Sequence, residues 1–248
     1  MASSASQQAT QVGDSREQEE AHIKGCLRDS EALKVDGTDL FRSQKWSEAL
    51  ATYRAALGRL PKRVIPPPNL DPDSESDDEN GERQRTEPTN DELLEPLPLS
   101  DVELELAKAR AILNANIGAC HVKMNEHSDA VKACTEALVD DPRYVKALQR
   151  RATSNENLST WASLSSAQED YQTLLKILPP DSPQIRPTKR ALDSVKPRAE
   201  AAQKRETAEM LDKLKGLGNS ILGNFGLSTD NFKFEPNGQG GYSMNFSK

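Results

Sequence analysis

"SEALKVDGTDLFRSQKWSEALATYRAALGRLP", residues 30–61, reads as two helices joined by a short turn, with Gly37, Ala49, Tyr53, Ala56 and Pro61 as its marks. Counted from the glycine, the other four fall at offsets of 12, 16, 19 and 24. The spacing has a packing reason. A small residue in the first helix and an alanine early in the second let two helices approach closely. The large residue four positions on fills the space against the next unit, and the proline stops the second helix.

The same offsets return further along. In "AILNANIGACHVKMNEHSDAVKACTEALVDDP", Gly118 is followed by Ala130, Cys134, Ala137 and Pro142, again at 12, 16, 19 and 24. A third copy starts at Val145, with Ala152 in the glycine position. Its Ala167, Tyr171, Leu174 and Pro179 come at 15, 19, 22 and 27, the same pattern plus three residues. The sequence places those extra residues in "NLSTWASLSS", at the turn between the helices, where insertion is tolerated best.

Three copies with matching offsets resemble the tetratricopeptide repeat, a 34-residue helix–turn–helix unit. The resemblance implies an all-α fold of three repeats stacked in a right-handed superhelix, its concave face lined by the first helix of each pair. A last repeat needs a cap. "PTKRALDSVKPRAEAAQKRETAEMLDKLKGLGNSIL" supplies helical sequence for it, with Ala191, Leu192 and Val195 closing the third repeat and Pro197 expected to kink or divide the helix.

The rest of the chain sorts by composition. Residues 1–29 are polar and are expected to be mostly disordered, turning helical toward "EQEEAHIKGCL". The repeat domain spans 30–182, with repeats at about 30–63, 111–144 and 145–181. Residues 64–100 interrupt it with a Pro-rich, acidic insertion expected to be disordered. A capping helix over 183–223 leads to an extended tail over 224–248. There "NFKFE" and "YSMNF" alternate apolar and polar residues across "PNGQGG", the mark of a small hairpin. An isolated hairpin is marginal and should dock on something.

Charge is unevenly spread. The chain carries −7 overall, but residues 71–95 hold eleven acidic and two basic residues, leaving the remainder slightly positive. The overall sign argues against a nucleic-acid binder. The acidic insertion reads most simply as a solubilising linker. A second reading lets it compete for a cationic groove, the more so if Ser74 or Ser76, each followed by an acid three residues on, is phosphorylated.

Nothing in the sequence suggests an enzyme. There is no Gly-rich phosphate loop, GxSxG, HExxH or Cys/His metal cluster. His22 and Cys26 stand four apart without a second ligand pair, so no metal or other cofactor is expected. His121 and His127 read as surface or packing residues. Three cysteines without a CxxC pair fit a reducing compartment. No secretory signal and no membrane span is read, which leaves the cytoplasm as the expected location, with the nucleus as the other.

The cations are the informative feature. In "YVKALQRRA", residues 144–152, Lys146 and Arg150 are four apart and share a helical face, with no acid in the stretch. Counted from repeat starts at Ser30, Ala111 and Val145, Lys34 and Thr38 occupy positions 5 and 9 of the first repeat. Asn116 occupies position 6 of the second, and Lys146 and Arg150 occupy positions 2 and 6 of the third. This register is similar to that of carboxylate-clamp tetratricopeptide domains, which carry Lys and Asn, then Asn, then Lys and Arg. Lys34, Asn116, Lys146 and Arg150 match, and Thr38 replaces the first asparagine. The resemblance implies a non-enzymatic adaptor or co-chaperone that grips the Glu-Glu-Val-Asp tails of heat-shock chaperones of the seventy- and ninety-kilodalton classes.

The chemistry suits the task independently. A peptide ending in Asp presents two carboxylates. Lysines supply point charges, arginine a planar fork and asparagine a neutral donor. Arg151, outside the register, reads as a packing or surface residue. The competing reading is a scaffold whose apolar groove residues hold an internal segment of a signalling or assembly partner. The tail pattern "LKGLGN…FGLSTDNF…GGYSMNF" resembles that of a small eukaryotic adaptor of the same family, and it implies a small or heterotrimeric GTPase as a further partner. Phe225, Phe232, Phe234, Tyr242 and Phe246 either face a partner or pack the tail onto the capping helix.

Overall fold

Each helix pair turns on one residue in the left-handed region, and the three are equally spaced from the small-residue mark. Gln44, Asn125 and Ser159 have φ of 62°, 61° and 55° and lie seven residues past Gly37, Gly118 and Ala152. The second helix of each pair then starts two residues later, at Trp46, His127 and Trp161. These turns belong to a computed structural model that describes residues 3–63, 100–223, 228–229, 232–236 and 242–246. Its helices are α1 (Ser3–Arg42), α2 (Trp46–Arg59), α3 (Asp101–Lys123), α4 (His127–Asp140), α5 (Val145–Leu158), α6 (Trp161–Ile177) and α7 (Ile185–Gly223). Strands β1 (Phe232–Pro236) and β2 (Tyr242–Phe246) follow. The helix pairs are tetratricopeptide-type repeats.

The backbone divides into two compact units. One contains the chain up to Ile117 with Val139–Asp141, and the other contains Gly118–Leu138 and everything from Pro142 onward. In the first unit α1 packs on α2. Ala49, Tyr53 and Ala56 are buried, and a β-carbon at Gly37 would come within 2.8 Å of the Tyr53 ring. Glycine is therefore what lets the ring lie against α1. Asp140, its side chain 2% exposed, accepts from the Arg63 guanidinium at 2.7 and 3.2 Å and from Arg110 Nε at 3.1 Å. Arg110 also donates to the Pro61 carbonyl at 3.4 Å. The residues on either side of the insertion are thus held to one buried carboxylate. Residues 64–99 of the insertion, including Ser74 and Ser76, lie outside the described residues.

In the second unit a β-carbon at Gly118 would meet Cys134 Sγ at 2.6 Å. Ala152, Ala167, Tyr171 and Leu174 are all buried where α5 packs on α6. The three extra residues of this repeat do not lengthen the turn, contrary to the sequence reading. The turn keeps its length, and α6 has 17 residues where α2 and α4 have 14. Three residues are nearly one helical turn, so Ala167 and Tyr171 still reach the packed face. A capping box starts α6: Thr160 Oγ1 accepts from Ser163 N at 3.1 Å, and Thr160 N donates to Ser163 Oγ at 2.9 Å.

α1 begins at Ser3, and its helical backbone takes in the whole of residues 3–29. That stretch has no proline and only two glycines, so nothing in it breaks a helix. α7 runs unbroken through Pro197, so the proline does not divide the cap. Thr188, Leu192, Val195, Ala199 and Ala202 recur every three or four residues, and α7 packs on α6 along both sides of the proline. β1 pairs antiparallel with β2, the hairpin expected across "PNGQGG". Among the described residues no helix is long and apolar enough to cross a membrane.

Burial also sorts the cysteines. Desolvation pushes the Cys120 and Cys134 thiols up to about 11, while Cys26 stands partly exposed on α1. A thiol reagent at pH 8 is expected to titrate one cysteine of the three in the native protein and all three in denaturant. Two fast thiols in the native state would contradict this packing.

Candidate functional site

The candidate cations stand on first helices of the repeats, and each repeat builds its part from local chemistry. Lys34, Thr38 and Asn116 lie in the first unit, and Lys146 and Arg150 in the second. Lys34 projects from α1 with its side chain 24% exposed and pairs with Glu31 Oε2 at 2.6 Å, one turn back. An incoming carboxylate must compete with that exposed glutamate.

Thr38 behaves differently from a ligand donor. Its hydroxyl donates to the Lys34 carbonyl at 2.8 Å, and Tyr53 Oη lies 3.0 Å from Thr38 Oγ1. With the threonine proton on the carbonyl, the tyrosine hydroxyl is the donor of the second bond. Thr38 therefore ties the α1–α2 pair together. Asn116 is half-buried on α3.

On α5 the two neighbouring arginines separate. Arg151 makes a two-pronged ion pair with Asp170 of α6, at 2.6 and 3.0 Å, and donates to Thr135 Oγ1 of α4 at 3.3 Å. Asp170 has a side chain 2% exposed. Burial pushes its carboxyl up and the Arg151 guanidinium opposes the shift, while the pairing raises Arg151 in turn. Arg151 is thus structural. Lys146 is exposed and, among the described residues, makes no ion pair. Arg150, one helical turn on, is half-buried.

A second network closes the far side of α5. Glu156 accepts from the Tyr171 hydroxyl and from Arg198 Nη1 at 2.8 Å, and Arg198 Nη2 reaches the Glu156 carbonyl at 2.8 Å. Burial and the Glu156 carboxylate push the Tyr171 hydroxyl well above its usual range. Arg198 of α7 thereby locks the cap to the repeat.

Sequence reasoning missed a cavity of about 390 Å³ in the first unit, between α1 and α3. Leu27, Ile112 and Leu113 contribute apolar surface, while Ser30, Lys34 and Lys108 contribute polar lining. Lys34 is the one clamp candidate that lines it. Leu27 and Lys108 precede the repeat starts, so a register counted from those starts passes over them. The signal was the apolar and cationic spacing of Leu27, Lys34 and Lys108 on helices that begin earlier than the repeat. His121, read as a surface or packing residue, is buried with Nδ1 2.6 Å from Glu126 Oε2, across the α3–α4 turn.

No family model matches the chain. It is 26% identical over 153 residues to FK506-binding protein 59 of Drosophila melanogaster, covering 62% of this chain and 26% of that one. It is 29% identical over 147 residues to mitochondrial import receptor subunit TOM34 of Rattus norvegicus, covering 59% of this chain and 34% of that one. The chain therefore spans about a quarter to a third of the curated relatives it matches. Among solved structures, the first tetratricopeptide domain of Spaghetti (RPAP3), bound to HSP90 peptide SRMEEVD, aligns with TM-score 0.43 and 16% identity over 68% of this chain and 94% of that one. The C-terminal tetratricopeptide domain of a putative FK506-binding protein of Plasmodium falciparum aligns with TM-score 0.48 and 16% identity, covering 73% and 95%.

Proposed function

We propose that the chain is a non-enzymatic adaptor that takes the acidic C-terminal tail of a heat-shock chaperone, of the Glu-Glu-Val-Asp type, through Lys34, Asn116, Lys146 and Arg150. The observation that carries the reading is on α5. Its one cation outside the clamp register, Arg151, is bound to buried Asp170, whereas Lys146 in the register stands exposed without an ion pair among the described residues. Thr38, whose proton is engaged by the Lys34 carbonyl, offers a carboxylate no donor and drops out of the binding set. Four donors remain. Charge-assisted bonds are worth about 1.5–3 kcal/mol each, enough for roughly micromolar binding after the entropy of association. Partners of this kind place the adaptor in the cytoplasm or nucleus.

A second reading draws on the α1–α3 cavity, whose apolar lining suits an internal segment of a scaffolded partner. A GTPase would be such a partner. That suggestion rests on the tail pattern alone, which is similar to that of tetratricopeptide repeat protein 1, a small eukaryotic adaptor.

The two readings part on the terminal carboxylate. A fluorescent peptide ending Met-Glu-Glu-Val-Asp is expected to bind at roughly micromolar concentration and to weaken as salt rises, while its C-amidated twin does not bind. Equal binding of both peptides would move the affinity to the apolar cavity and sink the clamp.

A further inference from the structure

The four most exposed large apolar side chains among the described residues, Met210, Leu214, Leu217 and Ile221, lie on one helix, α7, at 58–64% exposure, with Leu211 beside them at 51%. Met210, Leu214, Leu217 and Ile221 fall at i, i+4, i+7 and i+11, so they form one stripe. The stripe continues a packed face. Upstream, Leu192, Val195, Ala199 and Ala202 are buried where α7 lies on α6. That contact ends where Glu206 Oε1 accepts from Trp161 N at 2.8 Å, at the first residue of α6. Beyond Glu206, α7 runs on to Gly223 for about 25 Å. The large apolar side chains of that stretch stand more than half exposed.

The chain turns back onto this same stretch. Asn219 Oδ1 accepts from Thr229 N at 2.6 Å and from Ser228 Oγ at 3.2 Å. Gly218 lies in the row of Leu211, Leu214 and Ile221, and a β-carbon there would stand 2.8 Å from Thr229 Cγ2. Glycine opens a gap in the stripe, and the returning chain fills it. β1 starts three residues later.

The ribbon that follows has matching chemistry. Its register sets Phe232 opposite Phe246, Phe234 opposite Met244 and Pro236 opposite Tyr242, so these six positions share one face. Lys233, Glu235, Ser243 and Asn245 share the other. One face is wholly apolar and one wholly polar. A two-stranded ribbon is marginal in water unless such a face is covered. The dimensions also agree: five-residue strands are about 17 Å long, and Met210 to Ile221 spans about 17 Å.

We propose that the apolar face of the β1–β2 ribbon closes in solution onto the Met210–Ile221 stripe of α7, which this structure leaves more than half exposed, making a helix–hairpin module that hangs on the repeats through α7 alone. A second copy is the weaker occupant. Five partly exposed side chains fall short of the roughly 800 Å² per partner that a stable dimer requires. The ribbon needs no such area, because a short tether holds it at high effective concentration.

Hydrogen exchange on the full chain tests this from the helix side, where a substitution cannot disturb the strands directly. Leu214→Asp with Leu217→Asp is expected to lower protection of the β1 and β2 amides by about tenfold or more, while Lys213→Asp leaves it unchanged. Phe232→Ser with Phe234→Ser should in turn expose the stripe and raise binding of an apolar dye, whereas Lys233→Ser with Glu235→Ser should not. Strand protection indifferent to the α7 substitutions would overturn the proposal. So would strand protection in the unsubstituted chain that rises with protein concentration, which would make a second copy the occupant.

Discussion

Replacing Lys146 and Arg150 together by alanine is expected to weaken capture of a Met-Glu-Glu-Val-Asp peptide by at least about a hundredfold. Two charge-assisted contacts at about 1.5–3 kcal/mol each amount to about 3–6 kcal/mol, and every 1.4 kcal/mol is a factor of ten. Lys146→Ala alone should account for roughly tenfold or more of it. Because Lys146 is exposed and makes no ion pair among the described residues, that single change should leave the melting temperature within about 2 °C of the parent. Titration of the labelled peptide, run beside a thermal melt of each variant, separates lost contacts from lost fold. Binding that survives both substitutions would remove α5 from the site.

The adjoining arginine should respond in the opposite way. Arg151→Ala is expected to destabilise the protein by about 3–5 kcal/mol, because it strands a carboxylate that is almost wholly buried. Peptide binding per folded molecule should change little. Removing Asp170 as well, as Arg151→Ala with Asp170→Ala, should recover part of the loss, since no buried charge is then left unpaired. The deficit of the single variant should also depend on pH. Burial already pushes the Asp170 carboxyl up, and the variant loses the guanidinium that opposes the shift. An acid whose pKa is raised on folding binds its proton more readily in the folded state, so its stability contribution falls as pH rises. The deficit is therefore largest at neutral pH and shrinks as the solution is acidified through the range where Asp170 protonates. Urea denaturation at two pH values reads this directly. A variant equally unstable at both would mean that lost packing of the arginine stem, not the stranded charge, is responsible.

Arg150 and Arg151 show where a linear reading stops. Both sit in "YVKALQRRA", which contains no acid, and the repeat register could only say that Arg151 was out of place for the clamp. Its partner, Asp170, is 19 residues away on the next helix. Thr38 occupies a clamp position by register, and its hydroxyl's partners in the structure are a carbonyl one turn back and a tyrosine on α2. Likewise the third repeat was recognised from Ala152, Ala167 and Tyr171, while its three extra residues were assigned to the turn. A helix lengthened by nearly one full turn returns its side chains to the same face, so spacing alone does not distinguish the two placements.

What the sequence by itself determined is the repeat. Gly37, Gly118 and Ala152, with the alanines and large residues that follow them, specify helix pairs because close approach of two helices depends on side-chain size at each position, which is a local property. The hairpin was legible for a similar reason, since alternation and a Gly-rich turn are local signals. The tertiary structure alone decided which charges are free and which are bound. Asp140 gathers Arg63 and Arg110 from across the insertion, Asp170 takes Arg151, and Arg198 reaches Glu156 from the cap. Each of these pairs joins residues far apart in the chain. Whether a cation is available to a ligand depends on burial and on the nearest opposite charge in space, and neither is written in its sequence neighbours.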